Sequence, residues 1–369
     1  MRAAVLWAPG TELIIEDVAT TDLGDDEVLV NTRAVGLCHT DLHVIDGSLT
    51  RPMPIVLGHE ASGVVAEVGR NVNGITAGEH VVVCLVVQCG TCRWCRRGQY
   101  ALCGDKAATM RAAGAPSRLI CGETPLHQFT NVGALAEQMV VHRSSVVVVS
   151  EAIPFDAAAL LGCAVITGFG AVERVAQVRA GDSVVVIGCG GVGLNIVQAA
   201  KAAGAADVIA VDLDDERRRR AVDAFGATES VDGAKAAEVR DIVLDRTAGG
   251  ADHVFDAVGL VSTTTIALEL TASGGAAYAV GIYPEGAAVP VAVTHLHAAK
   301  RLVGVRMGDS DPATHIPRLV HRYLDGELLL DQLITDRVGL DEVNDAFAAL
   351  RAADGARTVV TFPLPAEAR

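Results

Sequence analysis

The sequence predicts an α/β protein in two parts, a mostly β domain with few long helices and a doubly wound parallel-sheet domain inserted into it. Three observations lead there. Up to about Val149 the chain carries short β-type runs between glycines and prolines, such as VLVNTRAVGL, GVVAEVG and HVVVCLV, which suit a compact and largely antiparallel domain. After Pro154 alanine-rich helical stretches alternate with short apolar strands, VVVIG, VIAVD, HVFDAVG and AAYAVG, and such alternation implies a parallel sheet with helices on both faces. From about Arg301 the alternation stops: IPRLVHRYLDGEL and LDEVNDAFAALRAADG read as helices, and RTVVTF as a last strand. A strand placed after the α/β segment rejoins the first domain. The expected division is therefore residues 1–164 completed by 307–369, with 165–306 inserted.

The inserted part is organised around Gly181 to Asp212. Ser183 to Ile187 is too short for a buried helix and reads as a strand covered on both faces. Gly188, Gly190 and Gly193 follow in the spacing G-x-G-x-x-G, with Gly191 and Val192 inside it. Those glycines permit a tight turn, close backbone approach to a pyrophosphate and tight packing of a helix on the sheet. Good helix formers run from Leu194 to a break at Gly204, and Val208 to Val211 returns as a second strand ending on Asp212. An acid there accepts both hydroxyls of an adenosine ribose and repels a 2′-phosphate, which favours NAD over NADP.

Half of the 369 residues are hydrophobic, enough for a sizeable core, and the formal charge of −15 argues against nucleic acid or an anionic membrane as partner. Arg217 to Arg220 reads as the solvated face of a helix begun by Asp214, Asp215 and Glu216. MRAAVLWAPG runs into the charged TELIIED without a long apolar core, so no signal peptide is expected, and no segment reads as a membrane span. Five of the nine cysteines crowd between Cys84 and Cys103. That pattern favours metal ligation in a reducing, cytoplasmic setting over a disulfide framework.

Cys89, Cys92, Cys95 and Cys103 form C-x2-C-x2-C-x7-C. Two-residue gaps turn successive thiolates back onto one ion, and four thiolates fill a tetrahedral zinc without leaving a place for water, so such a site is structural. An iron-sulfur cluster uses similar spacings, but Arg93, Arg96 and Arg97 stand in the loop and no other redox motif accompanies it. A second set is dispersed: Cys38 in GLCHTDLH, His59 and Glu60 in GHEASGVVAEVG, and Cys163 in LLGCAVITG. Two cysteines and a histidine are the protein ligands of a catalytic zinc that keeps its fourth position open. Spacing alone does not group them; taken singly, Cys163 reads as a small core residue and His59 as a satisfied polar side chain.

With these residues in view the chain resembles the zinc-dependent alcohol dehydrogenases of the medium-chain dehydrogenase/reductase superfamily. The signature G-H-E-x2-G-x5-G-x2-V is complete from Gly58 to Val72, and the likeness extends to the dispersed cysteines, the four-cysteine lobe, the nucleotide fold and the closing GARTVVTF. It implies a GroES-like catalytic domain and a Rossmann domain that binds NAD. By the resemblance Cys38, His59 and Cys163 hold a catalytic zinc, giving two zinc ions per subunit. Asp41 orients the histidine ligand, and Glu60 stands behind the metal or serves as a buried ion-pair partner. Thr40 accepts the substrate proton, and His43 is the outer end of the relay, reached through the cofactor ribose.

On the cofactor side the resemblance places Arg217 at the adenosine ribose, although a plain surface arginine fits the sequence as well. Val192 and Thr167 fall near the nicotinamide, Val280 and Ile282 give backbone contacts to its amide, and Arg357 with His39 reaches the pyrophosphate. Leu49 and Leu85 match inner substrate-pocket positions, the second often aromatic in relatives. The implied reaction is oxidation of a primary or secondary alcohol of medium size, possible in both directions. Segments GSLTRPMP and GDKAAT lack the acids and the arginine by which thiol-dependent formaldehyde dehydrogenases hold glutathione. Thiol-dependent formaldehyde or S-nitrosothiol chemistry is thus the alternative. A small-molecule substrate and a homodimer, with tetramers also found in relatives, complete the expectation.

Overall fold

The structure is a computed structural model that describes residues 1–112, 114–352 and 357–363. Gly355 and Ala356 of the closing GARTVVTF, and the end of the 307–369 part, lie outside the described residues. The chain forms two units, Met1–Ile166 with Asp311–Arg369, and Thr167–Ser310. The first crossing falls two residues, and the second four, beyond the boundaries read from the sequence.

In the first unit the β-branched runs become strands β1 (Arg2–Leu6), β2 (Ile14–Thr20), β3 (Glu27–Gly36), β4 (Ile55–Val56), β5 (Glu60–Val68), β6 (His80–Cys84), β7 (Leu119–Cys121), β8 (Thr124–Gln128), β9 (Gln138–His142) and β10 (Val146–Val148). Among the described residues β1, β2, β7, β8 and β4 close a small barrel. The long β3 centres a second sheet, pairing antiparallel with β5 from Val28↔Val68 to Gly36↔Glu60 and with β9 along its first half. Alternate side chains of β3 and β5 enter a core with Leu37, Ile55, Leu57, Phe129 and Leu135, all at most 2 % exposed. That packing brings the ends of β3 and β5 together, so the loop carrying Cys38 lies beside His59.

The helix Phe155–Ala176 corrects one sequence expectation, since it is long and apolar enough to cross a membrane. Its apolar character serves packing instead, because 89 % of its most apolar window is buried inside the protein. Over Leu161–Val165 it widens into a π-helical turn, a local distortion found often at functional sites, and Cys163 sits within it.

The second unit is a parallel sheet of β11 (Ser183–Ile187), β12 (Asp207–Asp212), β13 (Glu229–Asp232), β14 (Ala251–Asp256), β15 (Thr271–Ala279) and β16 (Arg301–Gly304), ordered β13-β12-β11-β14-β15-β16. Helices Gly191–Ala202, Asp215–Asp223, Ala236–Arg246 and Val261–Leu270 connect the strands. The order reverses between β11 and β14, and in such sheets ligands bind at the carboxyl ends of the strands at that point. After this unit the chain returns to the first through β17 (Ile334–Val338) and β18 (Arg357–Thr361), which joins the free side of β3.

Candidate active site

Cys38, in extended conformation, precedes the helix His39–Ile45, and that short helix carries Thr40, Asp41 and His43. Asp41 turns inward and is fully buried. Its Oδ1 accepts the Gly58 N–H at 2.9 Å and lies 3.2 Å from His59 Nδ1. A carboxylate only accepts, so Nδ1 donates to it, and in the neutral ring that a metal requires it is Nε2 that offers the lone pair. His59 Nε2 is buried and has no hydrogen-bond partner in the protein. Ligand atoms of Cys38, His59, Glu60 and Cys163 all lie within 4.8 Å of one another. An unpartnered imidazole nitrogen is costly in a dry interior unless something accepts its lone pair, and two thiols beside it complete a donor set suited to zinc. Phe129 meets the His59 ring edge-on at 5.5 Å, which fixes the ring plane.

Without a metal Cys38, His59 and Cys163 share protons and charge among themselves, and the Cys38 hydrogen bond, with burial, raises the Cys163 thiol well above its ordinary value. The Cys38 thiol is held well below its ordinary value, first by its hydrogen bond with Cys163 and then by His59. Burial alone would lower the His59 pKa, but the charge and hydrogen bond of Asp41, with Cys38, outweigh it and raise it well above the ordinary value. Behind the ligands, Glu60 Oε1 accepts the Ala164 N–H at 3.0 Å and an Arg357 N–H at 2.9 Å, while Oε2 is buried without a partner. Burial pushes Glu60 up to about 7 although Arg357 opposes it. Arg357 also donates to the Leu37 carbonyl at 2.7 Å and is only 5 % exposed. Its guanidinium is thus seated among the ligand-bearing segments, and Glu60 is the buried ion-pair partner that one of its two sequence readings gave.

Thr40 Oγ1 lies 3.4 Å from Cys38 Sγ. His43, one helical turn further on and partly exposed, places Nδ1 3.0 Å from Ser48 Oγ, whose hydroxyl also reaches the His43 carbonyl at 3.2 Å. Ser48 was not legible as a site residue, because a serine five positions from a histidine carries no motif. His39 is exposed on the first turn of the same helix; Leu49 is partly buried against the core of this unit, and Leu85, also partly buried, follows β6.

The four lobe cysteines also place their sulfurs within 4.8 Å of one another. Cys92 N–H points to Cys89 Sγ at 3.3 Å and Cys89 N–H to Cys103 Sγ at 3.4 Å. Backbone N–H groups of Cys95 and Gly104 pull the Cys92 thiol down to about 6. Sulfurs wrapped in N–H donors at van der Waals separation, without a disulfide, fit a tetrahedral thiolate site.

In the second unit Gly188 adopts φ +92°, and a Cβ on Gly193 would stand 1.7 Å from the Gly188 carbonyl, so the turn and the helix Gly191–Ala202 close on each other only with glycine. A Cβ on Gly190 would enter open space at the mouth of that turn, a cradle suited to a phosphate group. Asp212, at the end of β12, accepts Cys189 N–H at 2.6 Å and Asp214 N–H at 2.9 Å. Val192 is partly buried on the first helical turn, and Thr167 is buried with Oγ1 3.6 Å from Met307 Sδ. Val280 donates its N–H to the Asp256 carbonyl, and Ile282 is 41 % exposed two residues on. Arg217 donates its N–H to Asp214, capping the helix Asp215–Asp223. The arginine run is not simply a solvated face: Arg218 folds back to the Asp212 and Leu213 carbonyls and keeps only 14 % side-chain exposure. Carbonyls at a strand end attract a guanidinium more strongly than open water rewards it.

Comparison with known proteins places the chain in a family. Residues 24–151 match the alcohol dehydrogenase GroES-like domain and residues 191–322 the zinc-binding dehydrogenase domain. An NDMA-dependent alcohol dehydrogenase of Amycolatopsis methanolica is 37 % identical, covering 97 % of this chain and 98 % of its own. An S-(hydroxymethyl)glutathione dehydrogenase of Komagataella pastoris is 34 % identical over 98 % and 97 %. Among solved structures, benzyl alcohol dehydrogenase from Acinetobacter calcoaceticus superposes with a TM-score of 0.92 at 29 % identity, covering 98 % of this chain and 99 % of its own. With its two thiol-rich centres and its glycine-rich turn accounted for, the chain belongs to the zinc-dependent alcohol dehydrogenases of the medium-chain dehydrogenase/reductase superfamily.

Proposed function

We propose that this oxidoreductase converts a primary or secondary alcohol to an aldehyde or ketone, and back, with hydride exchanged with NAD. The observation that carries the reading is the bare, buried Nε2 of His59 held between two thiols, with the Thr40 hydroxyl beside one of them. Zinc bound by Cys38, His59 and Cys163 would supply a Lewis acid that makes an alcohol proton acidic near neutral pH. Thr40 takes up that proton as its own moves on, and His43, supported by Ser48, exchanges it with solvent. Asp41 keeps His59 in the tautomer that offers Nε2, and Glu60 with Arg357 neutralise each other behind the ligands. The lobe of Cys89, Cys92, Cys95 and Cys103 would hold the structural ion.

For the cofactor, the Asp212 carboxylate supports NAD, with Arg217 near the ribose, His39 and Arg357 toward the pyrophosphate, and Thr167, Val192, Val280 and Ile282 toward the nicotinamide. Leucines 49 and 85 favour a wide apolar pocket for an aromatic or terpenoid alcohol. From the family resemblance alone, the reading includes a cytoplasmic homodimer. A thiol-adduct substrate is the second reading, favoured by the 34 % identity to the S-(hydroxymethyl)glutathione dehydrogenase across nearly the whole chain.

NADH formation with aliphatic, benzylic, terpene and cyclic alcohols, and with formaldehyde in the presence and absence of low-molecular-weight thiols, tests both. Turnover on one alcohol class without thiol supports the first reading. Activity confined to formaldehyde plus a thiol overturns it in favour of the second.

A further inference from the structure

Outside the residues discussed above, the most heavily engaged buried group in the second unit is the carboxylate of Asp256. It ends β14, the strand on the far side of the reversal point, and is paired beside Ile187 and Ala279, so it lies level with the start of the Gly188 turn. The side chain is fully buried. Its Oδ1 accepts Val258 N–H at 3.0 Å and Gly259 N–H at 3.2 Å. Three hydroxyls surround Oδ2, those of Thr264 at 2.7 Å, Thr263 at 2.9 Å and Tyr283 at 3.1 Å, and the Tyr283 and Thr264 hydroxyls lie 2.7 Å apart. The backbone carbonyl of the same residue accepts Val280 N–H at 2.9 Å and Gly281 N–H at 3.0 Å.

Two loops at the carboxyl edge of the sheet, 257–260 after β14 and 280–283 after β15, are therefore tied to one residue. They also touch backbone to backbone. A Cβ on Gly281 would stand 2.3 Å from Gly259 N, and one on Gly259 would stand 2.5 Å from the Ile282 carbonyl. The first loop in turn meets the phosphate turn, since a Cβ on Gly188 would lie 2.6 Å from Val258 Cγ2. Burial pushes the Tyr283 phenol up to about 12, with the Asp256 charge adding to it, so its hydroxyl is a donor at any working pH. Tyr283 directly follows Ile282, and tethering its ring through the hydroxyl limits where the Ile282 backbone can point.

We propose that Asp256 is a positioning residue for the nicotinamide end of the cofactor, its carboxylate holding loops 257–260 and 280–283 in the register that presents the Val280 and Ile282 backbone. The inference rests on the reading that those two residues face the nicotinamide. In Asp256→Asn one oxygen still serves Val258 and Gly259, but an NH₂ group replaces the acceptor of three hydroxyls. Tyr283 and Thr264 must then turn their protons elsewhere and accept from the NH₂ instead, so the charge-assisted tether on the 280–283 loop gives way to a weaker neutral one. A carboxylate that merely stabilised the sheet would affect every part of the bound cofactor alike.

The test titrates the zinc-loaded full chain with NADH and with ADP-ribose, which lacks the nicotinamide, and records the emission of bound NADH as a separate signature. Asp256→Asn is expected to weaken NADH about tenfold, the scale of one charge-assisted hydrogen bond, and ADP-ribose less than about twofold. Tyr283→Phe, which removes only a hydroxyl and so keeps the test open if the first variant folds poorly, is expected to weaken NADH about threefold with ADP-ribose unchanged. Gly281→Ala displaces the loop itself and serves as the control for the underlying reading. If it weakens NADH selectively while Asp256→Asn and Tyr283→Phe do not, the positioning role is wrong and the loop reading stands. Should Gly281→Ala spare NADH as well, the loop does not face the nicotinamide, and the proposal falls with that reading. Equal losses of NADH and ADP-ribose in Asp256→Asn and Tyr283→Phe would make the network structural and overturn the proposal.

Discussion

Replacing Asp41 by asparagine changes how the His59 lone pair is held while leaving every sulfur ligand in place. In the native arrangement a single oxygen, Oδ1, serves Gly58 N–H at 2.9 Å and His59 Nδ1 at 3.2 Å inside a fully buried environment. Asparagine has nearly the same volume and can keep the Gly58 bond, but the bond to His59 loses its charge. A hydrogen bond to a charged group is worth about 1.5–3 kcal/mol. The neutral bond that remains keeps about 0.5–1.5 kcal/mol of this, so at about 1.4 kcal/mol per decade zinc affinity at Cys38, His59 and Cys163 is expected to fall about tenfold. The four-cysteine lobe shares no residue with Asp41, so its ion should stay. Metal analysis after graded chelator competition reads this directly: at a chelator strength the native protein withstands, the variant should retain zinc in the lobe alone. Retention of both ions with native exchange rates would refute the claim that Asp41 aims the ligand, and loss of both would show that the substitution unfolds the unit.

Further expectations follow from other parts of the structure. Glu27 is buried between Arg111 and Arg118, at 2.6 Å from each; burial would raise its pKa, but the two arginines bring it down to about 2 from the usual 4.5. A lowered carboxylate pKa contributes stability that is present above 4.5 and lost as pH falls toward about 2, here on the order of 3 kcal/mol. The gap in urea midpoint between native protein and Glu27→Gln should accordingly narrow as pH falls through that window; a gap independent of pH would contradict the ion-pair account. Cys103→Ser should release the lobe zinc and speed amide exchange across residues 89–104 while the catalytic ligands keep theirs, because thiolate binding energy is folding energy in that lobe. Protection unchanged in the variant would mean the lobe stands without its metal. Asp212→Asn keeps an acceptor for the Cys189 and Asp214 N–H groups but removes the charge, so NAD should bind more weakly and NADP more tightly. An unaltered ratio of the two would assign the preference to another residue.

Much of this site was legible before any coordinates because its chemistry depends on local spacing. The C-x2-C-x2-C-x7-C lobe and the G-x-G-x-x-G turn each bring their groups together within one loop, so spacing alone implies proximity. Cys38, His59 and Cys163 are different. They lie more than a hundred residues apart end to end, and they were grouped by resemblance to a family, whereas the packing of β3, β5 and a π-helical turn is the physical reason they meet. Arg218 was misread for a related cause. A charge run looks solvated in one dimension, and only the fold reveals that the end of β12 presents carbonyls to it.

By itself, then, the sequence determined the alternation of strands and helices, the four-cysteine lobe and the glycine-rich turn, because hydrophobic period, ligand spacing and glycine placement act over a few residues. Tertiary structure alone decided that the helix Phe155–Ala176 is a buried core element, that Ser48 stands beside His43, that Arg357 is seated on Glu60, and that Asp256 gathers donors from two loops and a helix. Each of those facts depends on which distant segments share a small buried volume, where every polar group must find its partner from whatever the fold brings near.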